Sequence, residues 1–249
     1  MVTIEDLKLD NIAIVECWYP GASGGTAVAE AVFGETNRFG KLPFTYYAYN
    51  FTTVCNASCF SDMNMTSAGQ FPGRSYKYLD DESLALWPFG FGLSYTKFSL
   101  SSADDGAVQL GAGAGADATT SVTVTNTGNR AGDEVVFLYV NSTIAIAAFS
   151  PDDPAAKKQL IDYERVTLAP GESRVVSFNV TLDKLSSVDR HGTRHVLAGD
   201  HALIFSRGHG REVVRPVEVS IAGGQPRLIV STMEGFAKHT GVEASSQWL

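Results

Sequence analysis

The chain is expected to combine an α/β segment with an all-β module, a partial α/β-sandwich piece leading into an antiparallel β-sandwich. Three observations lead there. One strand–helix–strand pattern precedes residue 50, a Gly/Ala/Asp-rich stretch lies near residues 106–118, and seven short alternating runs follow between residues 121 and 221. Strands alternating with a helix indicate a parallel unit, whereas short strands broken by turn residues indicate a sandwich.

In chain order, Ile12 to Val15 is a β-branched run of buried-strand type, ending at Tyr19-Pro20-Gly21. A glycine-rich turn enters Thr26 to Phe33, where Ala27, Val28, Ala31 and Val32 share one helical face and Gly34 is a natural stop. Lys41 to Tyr47 supplies the second strand. One such unit leaves sheet edge and apolar face uncovered, so residues 1–98 read as part of a larger α/β domain. Residues 99–120 read as a connector and 121–221 as the sandwich. Its runs are Ser121 to Thr125, Glu134 to Val140, Gln159 to Val166, Ser173 to Leu182, Arg194 to Leu197, His201 to Ser206 and Val213 to Ile221. Residues 222–249 carry one apolar run, Leu228 to Val230, with no assignment.

Bulk properties exclude several function classes. An apolar share of 44% with 18% charged residues describes a packed chain over 249 residues. The net charge of −8 argues against a nucleic-acid surface. No apolar stretch approaches the ~18–20 residues that span a bilayer. Asp6, Asp10 and the early lysines interrupt any signal-peptide core. Sequons stand at Asn50, Asn56, Asn64, Asn141 and Asn179, an enrichment that points to passage through a secretory lumen, with the signal on sequence upstream. Cys55 and Cys59 are a candidate disulfide in a polar loop, and Cys17 reads as a buried thiol. No metal-ligand spacing is present, so no metal site is expected.

The densest signal is Trp87-Pro88-Phe89-Gly90-Phe91-Gly92-Leu93-Ser94-Tyr95-Thr96. Its rings are costly to expose, at roughly 1.5–3 kcal/mol each, so this run must dock on a larger surface. It closely resembles the segment that ends the α/β-sandwich domain of glycoside hydrolase family 3, where a fibronectin type III-like domain follows. Further matches keep the family's order: Tyr19-Pro20-Gly21, Gly24-Gly25-Thr26-Ala27, Phe33-Gly34, Gly40-Lys41-Leu42-Pro43, then Asp62-Met63-Asn64-Met65 and Phe71-Pro72-Gly73-Arg74-Ser75-Tyr76. The last two look most like the β-xylosidase branch. Beyond the junction, Val124-Thr125-Asn126-Thr127-Gly128, Gly132-Asp133-Glu134-Val135-Val136 and Leu168-Ala169-Pro170-Gly171-Glu172 resemble the C-terminal domain.

The resemblance implies retaining hydrolysis of terminal β-linked sugars on an oligosaccharide substrate, without a metal or organic cofactor. Such chemistry normally needs two carboxylates, about 5–5.5 Å apart, one attacking and one protonating the leaving oxygen. The family takes its nucleophilic aspartate from an N-terminal barrel and its acid/base glutamate from upstream in the sandwich domain. Neither motif is found here, so no catalytic residue is assigned and hydrolysis by this chain alone is not expected.

Four residues are candidates for the rim of a substrate site. Asp62 precedes the Gly73-Arg74-Ser75-Tyr76 loop, where Arg74 and Tyr76 suit either sugar hydroxyls or an interface carboxylate. Glu16 ends the first strand, where the family more often carries an aromatic, and reads as a local loss of function or a rim charge, with substrate contact the lesser reading. Thr66 and Lys77 replace arginines of the xylosidase-like pattern. Asp80-Asp81-Glu82 reads as a solvated turn. The competing reading is a non-catalytic glycan- or protein-binding sandwich, which needs exposed rings. Phe137, Tyr139, Phe178 and Phe205 instead alternate as core residues do. A self-contained esterase has little support, because Gly92-Leu93-Ser94-Tyr95-Thr96 lacks the second glycine of a nucleophile elbow.

Overall fold

The computed structural model describes residues 4–9, 11–54, 64–67, 71–103, 106–111, 117–149, 155–189, 191–221 and 227–230. In the N-terminal part, helix α1 spans Gly24–Val32, strand β1 Tyr46–Tyr47, helix α2 Phe51–Val54, helix α3 Ser75–Tyr78 and strand β2 Ala85–Trp87. The sandwich begins with β3 (Phe98–Ser102), β4 (Val108–Gly111), β5 (Ala118–Asn126) and β6 (Gly132–Asn141). Helix α4 (Thr143–Phe149) precedes β7 (Gln159–Leu168) and β8 (Ser173–Val180). The chain continues through β9 (Ser187–Val188), β10 (Arg194–Val196), β11 (Gly199–Ser206), β12 (Val213–Ser220) and β13 (Arg227–Val230). Among the described residues, no helix is long and apolar enough to cross a membrane.

Two sheets form the sandwich, one in the order β4-β12-β11-β6-β7 and the other β3-β5-β8. Alternation decides which side chains enter the core. Val122 and Val124 of β5, Val176 and Phe178 of β8, and Val217 and Val219 of β12 point inward to meet Val136, Leu138 and Val140 of β6. Strand β6 is buried on both faces, from Gly132 through Val140. Its second face, Val135, Phe137 and Tyr139, lies under Tyr76 and Phe89 of the N-terminal part. This explains its near-continuous apolar run, which an antiparallel strand open to water on one side would not carry.

The α/β plus all-β division is present, but four local expectations are corrected. Ile12 to Val15 forms no strand and is exposed, because a strand needs a ladder partner and none lies beside it among the described residues. With that run in solvent, Cys17 is exposed rather than buried. Helix α1 forms as the pattern predicts, yet none of its residues is buried. Only Tyr46–Tyr47 of the second expected strand is β-structure, and it pairs antiparallel with β2. Residues 99–120 are not a plain connector. Strand β3 pairs with β5, and β4 runs parallel to β12 with Val108 and Leu110 buried. Two inward residues in a four-residue strand are a weak signal inside Gly/Ala-rich sequence. The run near Leu228 is part of β13, paired with β10.

Asn126 shows why its motif has that residue. Its Nδ2 donates to the carbonyls of Arg130 (2.8 Å) and Leu168 (3.1 Å), while its Oδ1 accepts from Thr96 Oγ1 (2.8 Å) and the Gly128 amide (3.1 Å). A fully buried amide thereby joins the end of the aromatic run, a turn and β7.

His201 is likewise buried, with Nε2 donating to the Leu197 carbonyl (3.0 Å) and Nδ1 facing Ser142 Oγ (2.8 Å). Burial pushes its pKa below the ordinary value, and that of His209 as well, where Lys41 and Arg207 add to the effect. The unfolded chain therefore binds more protons than the folded one just below pH ~6.5, so stability is full above that pH and falls as acid approaches the folded pKa. The urea midpoint is expected to drop between pH 7.5 and 5.5, with a smaller drop in His201→Asn. An equal drop in the variant would place the titration elsewhere.

Candidate functional site

Strand β1 sorts two neighbouring tyrosines to opposite sides, and each organises one group of the predicted rim residues. On one side, the Tyr46 hydroxyl donates to Glu16 Oε2 (3.2 Å), and the Trp18 amide donates to Glu16 Oε1 (3.1 Å). Burial and then the Glu16 carboxylate push the Tyr46 phenol up. Trp18 meets Phe44 edge-on at 5.6 Å, Phe44 meets Tyr46 at 4.7 Å, and Tyr46 meets Trp87 at 6.0 Å. The result is a row of rings beside one carboxylate, with Trp18 57% exposed. Sequence reading singled out Glu16 but missed the row, whose signal was the aromatic density of Trp18-Tyr19 and Phe44 to Tyr47.

On the other side, the Tyr47 hydroxyl accepts from the Ser75 amide (2.6 Å), where Ser75 adopts φ +62°. Arg74, just before it, donates its amide to the Met65 carbonyl (2.8 Å) and lays its guanidinium over the Phe71 ring at 5.2 Å. Tyr76 turns toward the sandwich. Its ring lies 4.6 Å from Phe89 and 5.7 Å from Tyr139, its hydroxyl accepts from the Leu160 amide (3.4 Å), and burial pushes its phenol up. Tyr76 is thus part of the junction between the two parts of the chain. Asp81 caps a turn by accepting from the Ser83 amide (2.9 Å), and hydrogen bonding from the Ser83 side chain and then its amide holds the carboxyl below the usual range. Asp62, Cys55, Cys59 and Asn56 lie outside the described residues.

The junction itself holds most of the buried charge. Glu134 accepts from Lys41 Nζ (2.7 Å) and Arg207 Nη1 (2.9 Å). Next to it, Asp133 accepts from Arg165 Nε (2.8 Å), Arg38 Nε (3.3 Å) and Thr167 Oγ1 (2.8 Å). Burial alone would raise the Asp133 carboxyl, but these three donors hold it below the usual range. Asn37 completes the seam. Its Oδ1 accepts from Ser94 Oγ and the Tyr95 amide, and its Nδ2 donates to the Ala131 carbonyl. The Gly40-Lys41-Leu42-Pro43 motif also belongs here, since Leu42 exchanges backbone bonds of 2.8 Å with Gly90 and Phe91.

Of the sequons, Asn50, Asn64 and Asn179 are exposed. Asn141 is half-buried, with Oδ1 accepting from the Thr143 amide (2.9 Å) and hydroxyl (2.7 Å) at the start of α4.

Residues 1–95 match the glycosyl hydrolase family 3 C-terminal domain, and residues 134–207 match a fibronectin type III-like domain. The chain is 34% identical to a xylan 1,4-beta-xylosidase of Xylanibacter ruminicola over 194 residues, which cover 78% of this chain and 20% of that protein. It is 32% identical to beta-D-xylosidase 1 of Arabidopsis thaliana over 219 residues, covering 77% and 27% respectively. A periplasmic beta-glucosidase of Salmonella typhimurium is 34% identical, with 73% of this chain and 22% of that protein aligned. Among solved structures, a GH3 exo-beta-xylosidase in complex with a xylobiose aziridine activity-based probe superposes with a TM-score of 0.68 at 27% identity, covering 86% of this chain and 28% of that one. The chain therefore spans only about a fifth to a quarter of the length of these relatives.

Proposed function

Because the chain belongs to glycoside hydrolase family 3, as part of the family's C-terminal region, we propose that it is the supporting portion of a β-xylosidase-like enzyme. The complete enzyme releases terminal β-linked sugars from xylan-derived oligosaccharides with retention, and its nucleophile and acid/base lie on polypeptide outside this chain. Here the chain contributes scaffold, rim loops and the fibronectin-like sandwich.

One observation carries this reading: the N-terminal part is bound on one side and bare on the other. Phe89 and Tyr76 pack onto β6, while Ile12, Ile14, Val15, Tyr19 (98% exposed) and Phe33 (82% exposed) face water. That many exposed large apolar side chains fit a layer that an N-terminal barrel and the rest of the α/β domain would cover. In the same reading Glu16 and Arg74 stand at the rim, and the chain is secreted and glycosylated at its exposed sequons.

The purified chain is expected to leave an aryl β-xyloside unhydrolysed above the buffer rate. Turnover that disappears in Asp62→Asn or Glu16→Gln would show that the chain carries its own catalytic carboxylate and would overturn the proposal.

A further inference from the structure

The loop that carries Arg74 is a closed length of chain gripped by both parts of the protein. The Asp80 amide donates to the Pro72 carbonyl (2.8 Å), joining the ends of residues 72–80, and the Leu79 amide donates to the Ser75 carbonyl (3.0 Å) across them. Compact loops with joined ends are frequently functional. Arg74 sits between two residues in the left-handed region, Gly73 at φ +78° and Ser75 at φ +62°. A side chain at position 73 would overlap the Tyr78 carbonyl, so the loop doubles back there only with glycine. A serine in that region is strained, and it persists only where its surroundings over-determine the backbone.

The N-terminal part supplies some of that hold, since the Tyr47 hydroxyl and the Met65 carbonyl accept from the Ser75 and Arg74 amides. The sandwich supplies the rest. Lys157, just ahead of β7, donates its amide to the Lys77 carbonyl (2.7 Å). Its Nζ donates to the carbonyls of Leu79 (2.6 Å) and Asp80 (3.0 Å) and lies 3.6 Å from Asp80 Oδ1. An ammonium has three donors; here two meet carbonyls and the third faces the carboxylate. The ion pair itself adds little, because the two side chains are 40% and 56% exposed. The carbonyl bonds matter more, because Leu79 is buried and a charged donor makes the stronger kind of hydrogen bond.

We propose that Lys157 is a positioning residue for the substrate rim: it keeps the 72–80 loop closed and so fixes where Arg74 holds its guanidinium for donation to sugar hydroxyls. The placement rests on the loop contacts, whereas the role toward sugar rests on the rim reading of Arg74 above. The fibronectin-like sandwich then shapes the rim directly, through one lysine on its own chain segment.

The test uses the isotope-labelled full chain. Protons of a side chain lying over a ring are shifted upfield, so the Arg74 signals report its position over Phe71. Lys157→Met keeps the length of the stem but removes the donors. It should largely abolish the Arg74 upfield shift and speed hydrogen exchange at the Leu79 amide by roughly tenfold or more, with the urea midpoint near that of wild type. Lys157→Arg, which restores a charged donor, should recover both signals. Asp80→Asn removes the ion pair but leaves both carbonyls, and should behave as wild type. Lys158→Met should do the same, because Lys158 serves Glu212 (3.1 Å) and the Tyr139 ring (5.1 Å) instead. Wild-type Arg74 signals in Lys157→Met, no recovery in Lys157→Arg, or an equal loss in Asp80→Asn or Lys158→Met would overturn the proposal. Turnover of an aryl β-xyloside by the chain would overturn the supporting role while leaving this placement intact.

Discussion

Replacing Glu134 with alanine is expected to destabilise the chain by about 3–5 kcal/mol, the range for removing one member of a buried ionic group. Glu134 has a side chain only 3% exposed and accepts from Lys41, Arg207 and the Val135 amide. Its loss leaves two cations facing each other with no counter-charge, in surroundings where burial already lowers the Lys41 pKa and only Glu134 pulls it back up. The sign of the pH dependence follows. A lysine whose folded pKa is depressed gives stability that is full above its unfolded pKa, near 10.4, and declines as pH falls. The deficit of Glu134→Ala in urea should therefore be largest near neutral pH and shrink toward pH 10. An apolar triple variant, Lys41→Met/Glu134→Leu/Arg207→Met, should recover much of the loss, because desolvation of all three ions is removed together. Wild-type stability in Glu134→Ala would mean that the seam is not closed in solution.

The second large effect is expected at Gly208, which has φ +81° and packs its backbone against Gly90, itself at φ +82°. A Cβ on Gly208 would overlap the Gly90 carbonyl, and a Cβ on Gly90 would sit 2.9 Å from Phe137 Cε2. Neither neighbour is a flexible chain end. Gly208→Ala combines a left-handed non-glycine residue, about 1–3 kcal/mol, with overpacking, about 1–3 kcal/mol, for roughly 2–6 kcal/mol in all. Gly171→Ala is the control. That residue has a similar φ of +75° but nothing within 4 Å of an added Cβ, so only the backbone cost applies. The Gly208 variant should also let Trp87 fluorescence respond to urea earlier than the far-ultraviolet β signal, as the aromatic run leaves β6. Equal midpoints for the two variants would reduce the Gly90–Gly208 contact to backbone preference alone.

Much of this is legible in the sequence. Alternation in β5, β8 and β12 marked inward residues correctly, because each strand has one core face and one wet face. The aromatic run from Trp87 to Thr96 was recognisable as a docking segment from the cost of exposing its rings. What it docks on was not readable. Phe137 and Tyr139 looked like ordinary core positions, yet they belong to a second layer under Tyr76 and Phe89. The rim candidates divided in the same way. Arg74 and Tyr76 are adjacent in sequence, but one lies over Phe71 and the other inserts into the junction. The Glu16 ring row is not legible in the sequence because Trp18, Phe44 and Trp87 are separated by tens of residues.

By itself, the sequence determined strands β5, β6, β7, β8, β11 and β12 and the order of the family motifs, since these depend on residue type and local spacing, whereas the run at Arg194 to Leu197 became β10 of a separate sheet with β9 and β13. Tertiary structure alone decided that Lys41 of one motif and Glu134 of another close a single seam. It also decided that Ile12 to Val15 remains unpaired and that β3 and β4 join the sandwich. The physical reason is common to all three: a strand or a buried charge is stable only beside its partner, and the partner lies far along the chain.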